Sequence, residues 1–218
     1  MTRAFYRTFK SLLSLVPLWL LALLFLGLLG FVGLAEDVYE REGFFFDGPV
    51  LAFLHAQQSD VWNTLALAFT QSASAPVVGG LALGVLVWAY FRRLGWRIFA
   101  LGLGGAVLLN LASKLFFARA RPHLFPQLIP EHDYSFPSGH TMASLALVLA
   151  LYTLLAPRFP RAARWVLALG LPWALLVGLS RIYLQVHYPS DVLAGWALSV
   201  LWVIGVGLWY RWTASERG

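Results

Sequence analysis

Cysteine is absent from this 218-residue chain, and charge is scarce, with 12% charged residues against 60% hydrophobic ones. The first absence excludes disulfides, Cys-ligated zinc and thiol catalysis, and leaves the redox compartment open. The second excludes an ordinary soluble domain, which carries about twice that charged fraction. A surface this apolar needs lipid as part of its solvent. The net charge is +6, from 16 Lys+Arg against 10 Asp+Glu. Most basic residues flank apolar stretches, and no aromatic-rich basic surface recurs. Membrane topology and anionic lipid therefore account for the balance better than nucleic acid does.

What the chain has in abundance is long apolar runs. A helix needs about 20 apolar residues to cross the hydrocarbon layer. Six stretches qualify: 11–35, 75–91, 96–117, 141–156, 163–179 and 192–210. The first holds no charge and no cleavage-like small-residue site after a short core, so it reads as a retained anchor rather than a removed leader. The fourth is short but extends back to a Pro-Ser-Gly-His turn. Residues 36–72 differ. They open with Glu36, Asp37, Glu40, Arg41 and Glu42, and continue with two apolar segments, 50–56 and 61–70, that are too short to span. These suit the interface, or in the second case the approach to the next span. The expectation is an all-α, polytopic membrane helix bundle of about six transmembrane helices, forming one domain over residues 1–218 with no internal repeat or linker.

Basic residues orient the bundle. Arg3, Arg7 and Lys10 precede the first span. Arg92, Arg93 and Arg97 lie between the second and third, and Arg158, Arg161 and Arg164 between the fourth and fifth. Arg211 and Arg217 follow the sixth. With six spans all four groups share one face, which is then cytoplasmic. The opposite face receives segments 36–72, 118–140 and 180–191.

Three segments place polar groups where apolar ones would be cheaper. They run from Lys114 to Pro122, from Pro137 to His140, and from Ser180 to Asp191. The topology brings all three to one face. Lys114, Arg121 and Arg181 supply positive charge, Arg as a planar fork and Lys as a mobile point charge. Ser138 is placed to cap the helix that follows, Gly139 lets the backbone approach an anion, and free amides at a helix start bind phosphate. His187 and Asp191 are four apart. They share a face if helical, although Pro189 favours a turn feeding the last helix. In either case a carboxylate can hold one imidazole nitrogen and present the other as a nucleophile. Arg119 reads as a snorkelling residue at a helix end. His123, Glu131, His132 and Asp133 form a looser group. A metal site there is conceivable, but the spacing matches no ligand pattern, so a solvated loop is the simpler reading. His55 has no evident partner and no assigned role.

Together these segments resemble the type 2 phosphatidic acid phosphatase family, which shares its core with glucose-6-phosphatase and the vanadium haloperoxidases. That pattern is Lys, six residues, Arg-Pro; then Pro-Ser-Gly-His; then Ser-Arg, five residues, His, three residues, Asp. Lys114 with Arg121-Pro122, Pro137-Ser138-Gly139-His140, and Ser180-Arg181 with His187 and Asp191 match it at every defined position. The resemblance covers about residues 100–205 closely and the first 70 loosely. It implies a helical core like that of the acid phosphatases and haloperoxidases, with the motifs held in residues 114–191. It implies hydrolysis of a lipid phosphomonoester or pyrophosphate, with His187 attacking phosphorus to form a phosphohistidine. Asp191 would orient His187, and His140 would protonate the leaving oxygen and then activate water. Lys114, Arg121, Ser138, Gly139 and Arg181 would bind phosphate, with no metal and no cofactor. Partners would be the lipid substrate and the surrounding lipids. Undecaprenyl pyrophosphate, phosphatidic acid and phosphatidylglycerol phosphate are the candidate substrates, at the extracytoplasmic face of a bacterial inner membrane. A lipid-binding or transport protein that keeps the phosphate pocket without turnover, or transfer to an acceptor other than water, are the competing readings.

Overall fold

The structure is a computed structural model that describes residues 17–215. Arg3, Arg7, Lys10, Arg217 and the start of the first apolar run lie outside the described residues. Among the described residues there are eight helices and no strand. They are α1 (Leu18–Tyr39), α2 (Asp47–Ala56), α3 (Asp60–Ser72), α4 (Ala75–Phe91), α5 (Trp96–Phe117), α6 (Gly139–Leu155), α7 (Pro160–Tyr183) and α8 (Pro189–Ser215).

Four of these, α1, α5, α7 and α8, are long and apolar enough to cross a membrane on their own. A fifth span arises if α3 and α4 are taken together, two helices bent by 41° across a short break. The second of the expected interfacial segments thus leads into the next span, and Pro76 sits in the first turn after that break. Helix α6 has 17 residues, about 25 Å of rise at 1.5 Å per residue, short of the roughly 30 Å hydrocarbon layer. Its role is central instead. Met142, Ala146 and Ala150 of α6 form the core with Phe99, Leu103 and Ala106 of α5 and Val203 of α8. Because its neighbours are protein, α6 need not match the lipid thickness.

The outer helices show the reverse pattern. Leu23, Phe25, Leu26, Leu29 and Val32 of α1 and Leu81, Leu83 and Val87 of α4 point outward. An apolar exterior of this kind is the surface a bilayer wets. Close packing requires a missing side chain at Gly105, where a Cβ would lie 2.2 Å from the Trp202 ring of α8. The chain is a multi-pass membrane protein built around α5 to α8. Helices α2 and α3 lie against one end of it, where Leu51 packs with Ile182 and Val192, and Ala66 with Tyr183, Leu184 and Val186.

Candidate active site

The end of α5, the start of α6 and the α7–α8 junction converge at that end. Helix α5 stops at Phe117, and Ala118 takes the left-handed conformation (φ 44°), which releases the chain into the motif loop. Lys114 lies in the last turn of α5 and is buried. Helix α7 ends in a tight turn. Gln185 is left-handed (φ 63°), and the amides of Val186 and His187 both donate to the Arg181 carbonyl, at 3.2 and 3.3 Å. The Gln185 side chain donates to the Leu51 carbonyl of α2 at 3.1 Å, which fixes the turn from outside. His187 therefore sits in a turn, with Pro189 as the first residue of α8 and Asp191 in its first helical turn.

The geometry assigns the His187 tautomer. Nε2 lies 3.2 Å from Arg121 Nη1, and Nδ1 lies 3.3 Å from Asp191 Oδ2. A guanidinium only donates, so Nε2 accepts and the ring proton is on Nδ1, directed at Asp191. His187 is 1% exposed. Burial pushes its pKa down, the Asp191 hydrogen bond opposes, and the Arg181 charge pushes further down, to about 4. At neutral pH the imidazole is uncharged, with its Nε2 lone pair facing the cations.

Arg121 faces this nitrogen, and Arg181 acts on the ring electrostatically. Lys114, Arg121 and Arg181 are all buried or nearly so, and two carboxylates from the α5–α6 loop pair with them. Asp133 pairs with both Lys114 and Arg121, and Glu131 pairs with Arg181 and reaches Arg121 at 3.5 Å. The reading of this loop as solvated holds for His123 and His132, which are exposed, and is corrected for Glu131 and Asp133. A buried cation without a counter-charge is expensive, and the loop supplies one. Burial raises the Asp133 pKa, but hydrogen bonds from Lys114 and Arg121 outweigh it and hold the group at about 2. Glu131 is also held below its ordinary range, with burial overcome by Arg181 and Arg121. Arg121 further donates to the Val186 carbonyl at 2.7 Å, and Arg181 to Thr70 Oγ1 at 2.5 Å. Arg181 Nε is a buried donor without a partner, an anomaly that an anion's oxygen would resolve.

Helix α6 contributes the other wall. Ser138 occupies the N-cap position, but its side chain caps no amide and instead accepts from Thr141 Oγ1 at 2.8 Å. The first amides of α6 are thus left without a side-chain cap, a ready site for negative charge. Gly139 allows a close approach, since a Cβ there would lie 3.1 Å from Asn110 Oδ1. His140, the second residue of α6, lies within electrostatic reach of Arg181, Glu131, His187 and Lys114.

A second ionic cluster lies behind Asp191. Arg119 donates to Asp191 Oδ1 at 2.5 Å, to Ser190 Oγ at 2.8 Å and to Asp47 Oδ2 at 3.0 Å. Its guanidinium lies 4.2 Å from the Tyr188 ring centroid. The snorkelling reading of Arg119 is overturned, because a guanidinium with three acceptors and a side chain 13% exposed is not facing water. Asp47 also accepts from the amide and hydroxyl of Ser190, at 2.9 and 2.6 Å. Asp191 Oδ2 accepts from Ser135 Oγ at 2.5 Å and from the Tyr188 amide at 2.9 Å.

Sequence reading did not find Asp47, Thr70, Asn110, Ser135 or Ser190. Asn110 had a signal. It lies one turn before Lys114 on an apolar helix, and it donates to the Pro137 carbonyl at 3.0 Å. Polar residues inside a span are functional suspects by default. His55 stacks on Phe125 with ring centroids 4.1 Å apart.

Known proteins resemble the chain over most of its length. The chain is 30% identical over 186 residues to an undecaprenyl-diphosphatase of Sulfolobus acidocaldarius, covering 83% of this chain and 84% of that one. It is 35% identical over 117 residues to phosphatidylglycerophosphatase B of Bacillus subtilis, covering 51% of this chain and 57% of that protein. The crystal structure of a transmembrane PAP2-type phosphatidylglycerolphosphate phosphatase from Bacillus subtilis superposes with a TM-score of 0.73 at 25% identity, over 89% of this chain and 96% of that one. The PAP2 superfamily model matches residues 95–215, more than half of the chain. A helical bundle that gathers two histidines and three cations at one end, with relatives of these kinds, belongs to the PAP2 superfamily, among its membrane lipid phosphatases.

Proposed function

We propose that the chain, working as one membrane-embedded domain, hydrolyses a phosphomonoester or pyrophosphate of a membrane lipid through a phosphohistidine on His187. The observation that carries this reading is His187 Nε2 against Arg121, in a cationic cluster with Lys114 and Arg181 whose charge is met by carboxylates standing where phosphate oxygens would bind. The incoming phosphoryl group displaces Glu131 and Asp133 and takes the place beside Nε2 that Arg121 now holds. Lys114, Arg121, Arg181 and the first α6 amides then neutralise charge on the equatorial oxygens, which is most of what phosphoryl transfer asks of a protein.

In the first half-reaction the Nε2 lone pair forms the N–P bond. The bond from phosphorus to the leaving oxygen breaks, and His140, protonated once the negative phosphate is bound beside it, gives that oxygen its proton. In the second, His140 takes a proton from water and the water oxygen forms the new bond to phosphorus. The N–P bond then breaks, and phosphate leaves with Nε2 restored. Asp191 stabilises the Nδ1 proton throughout. The three cations provide the charge that metal ions supply to other phosphoryl-transfer enzymes. The proposed chemistry is therefore metal-independent.

The candidate substrates are undecaprenyl pyrophosphate, phosphatidic acid and phosphatidylglycerol phosphate. The names of the relatives support undecaprenyl pyrophosphate and phosphatidylglycerol phosphate without choosing between them, and phosphatidic acid rests on the family resemblance. Arg92, Arg93, Arg158, Arg161 and Arg211 lie near the helix ends remote from the motif residues. By the positive-inside rule this supports an extracytoplasmic site in a bacterial inner membrane. The test is phosphate release by purified protein from those three lipids, with and without a chelator, and with His187→Ala in parallel. Release by the wild type alone, unaffected by chelation, is expected. Equal release by both proteins overturns the nucleophile, and a chelator loss restored by divalent metal overturns metal independence.

A further inference from the structure

We infer that Arg119 and Asp47 are positioning residues for this reaction: the pair fixes the orientation of Asp191, and through it the nitrogen of His187 that carries the proton. This rests on the reading of His187 as the nucleophile. Both oxygens of Asp191 are committed. Oδ1 takes Arg119 Nη1 at 2.5 Å, and Oδ2 takes Ser135 Oγ, the Tyr188 amide and His187 Nδ1. A carboxylate gripped at Oδ2 alone could rotate about its axis and release the imidazole. The Arg119 contact on Oδ1 removes that freedom.

Arg119 is itself held from several directions, and a long flexible side chain needs such holding to act as a fixed point. Its second nitrogen reaches Asp47 at 3.0 Å, its first also reaches Ser190 Oγ at 2.8 Å, and the Tyr188 and Phe44 rings lie 4.2 and 5.6 Å from the guanidinium carbon. Only a planar fork can serve such divergent acceptors together. Asp47 is the far end of the chain of charges. It is 4% exposed, and its Oδ1 accepts the Ser190 amide, one of the donors that the start of α8 leaves without an intrahelical partner. The order Asp47, Arg119, Asp191 alternates in sign, so removing the middle charge leaves two buried anions unpaired.

The arrangement also assigns a function to residues 36–72, which the motif pattern leaves without one. Helix α2 brings Asp47 and the Leu51 carbonyl, and α3 brings Thr70, to three separate groups of the catalytic turn: Ser190, Gln185 and Arg181. The segment frames the turn from outside the motif bundle.

A structural cross-link alone would stabilise the fold without tuning His187, and a pH profile separates the two roles. The charged groups around His187 are Asp191, Arg181 and Arg121 directly, with Arg119, Asp47, Lys114, His140, Glu131 and Asp133 in the next layer. Arg119→Gln removes a cation that opposes the imidazolium and leaves the Asp191 charge less balanced. The acid limb of kcat/KM should move to higher pH. Asp47→Asn leaves the Arg119 charge less balanced, and the limb should move to lower pH. In Arg119→Gln, kcat should fall about tenfold to a hundredfold, the usual size for loss of a group that orients a reacting residue, with KM little changed. Arg119→Lys should keep the limb near its wild-type position and restore only part of kcat.

The experiment measures pH profiles of kcat and kcat/KM for Arg119→Gln, Arg119→Lys, Asp47→Asn and His187→Ala on one lipid phosphate. Limbs displaced in opposite directions by Arg119→Gln and Asp47→Asn support the inference. Wild-type kcat in all the Arg119 and Asp47 variants overturns it, as does a loss with both limbs unmoved, while an inactive His187→Ala leaves the nucleophile standing. Near-wild-type activity of His187→Ala overturns the nucleophile reading instead. If Arg119→Gln does not fold, Asp47→Asn and Arg119→Lys decide through the limb and the partial rescue.

Discussion

Two ionic clusters sit side by side at the end of the bundle, and they differ in what seals them. In the outer one, Asp133 and Glu131 balance Lys114, Arg121 and Arg181, and the carboxylate side chains are 57% and 22% exposed. In the inner one, Asp47 and Asp191 balance Arg119, with carboxylate side chains 6% and 0% exposed. The outer anions come from a loop and reach water, so a phosphate can replace them at little cost. The inner anions begin helices α2 and α8, and their exchange would mean unpacking both. An exposed ion pair contributes up to about 1 kcal/mol, whereas breaking a buried one costs about 3–5 kcal/mol. His187 lies at the border, with one nitrogen toward each cluster.

The sharpest break in this comparison is at the border itself. His187→Ala should lower phosphate release by roughly 10³-fold or more, since a nucleophile has no substitute among groups acting as a unit. Steady-state assays on folded protein check it. Next in size is the outer cluster. Arg181→Gln should cost about 10²- to 10³-fold in kcat, the range for loss of one preorganised group that stabilises transition-state charge. Arg181→Lys should recover little, because a single ammonium cannot serve Thr70 and an anion together. Recovery to near wild type would mean that charge alone matters at this position.

How much of this was legible beforehand differs between the clusters for a physical reason. The outer cations and both histidines lie at fixed short spacings around helix ends, and such spacing is visible in the chain. Helices α4 and α5 were readable to their bounds, because a proline turn or a basic pair sets off each apolar run. Apart from Asp191, which its spacing from His187 marks, the inner cluster had no such mark. Asp47 and Arg119 are 72 positions apart, as are Arg119 and Asp191. A lone Asp before an apolar segment and an Arg just after a span, outside the defined motif positions, both look like interface decoration. Their meaning appears only once α2 packs on the turn before α8. The Glu131 and Asp133 pairing was hidden for a related reason, since a loop's acidic residues read as solvated until the cations facing them are known.

The border also sets a pH dependence. His187 acts when neutral, and its pKa is lowered to about 4 by burial and the neighbouring guanidinium groups. The acid limb of kcat/KM should therefore fall about tenfold per pH unit below that value, beyond any titration of the substrate. Stability follows the same sign. The unfolded imidazole takes its proton near the ordinary value of about 6.5, so between there and about 4 the unfolded chain binds more protons. Acidification through that window should destabilise the fold, and His187→Gln should weaken the dependence. Thermal unfolding in detergent across the window reads this out.

The smallest expected effect bears most directly on the contrast between exchangeable and fixed anions. If Asp133 holds the place of a phosphate, it competes with one, and Asp133→Asn should tighten inhibition by vanadate. A pair this exposed limits the gain to about twofold to fivefold, the equivalent of the 0.2–1 kcal/mol typical of such pairs. Because Lys114 and Arg121 hold the Asp133 carboxyl at about 2, the competitor stays charged across any practical assay range. The gain should therefore be the same at pH 5 and pH 8. Glu131→Gln should give a larger gain, as its partner Arg181 is the more deeply buried cation. Weaker vanadate inhibition in both variants would reverse the argument. The loop carboxylates would then be holding the cations in their binding geometry, and the outer cluster would be as fixed as the inner one.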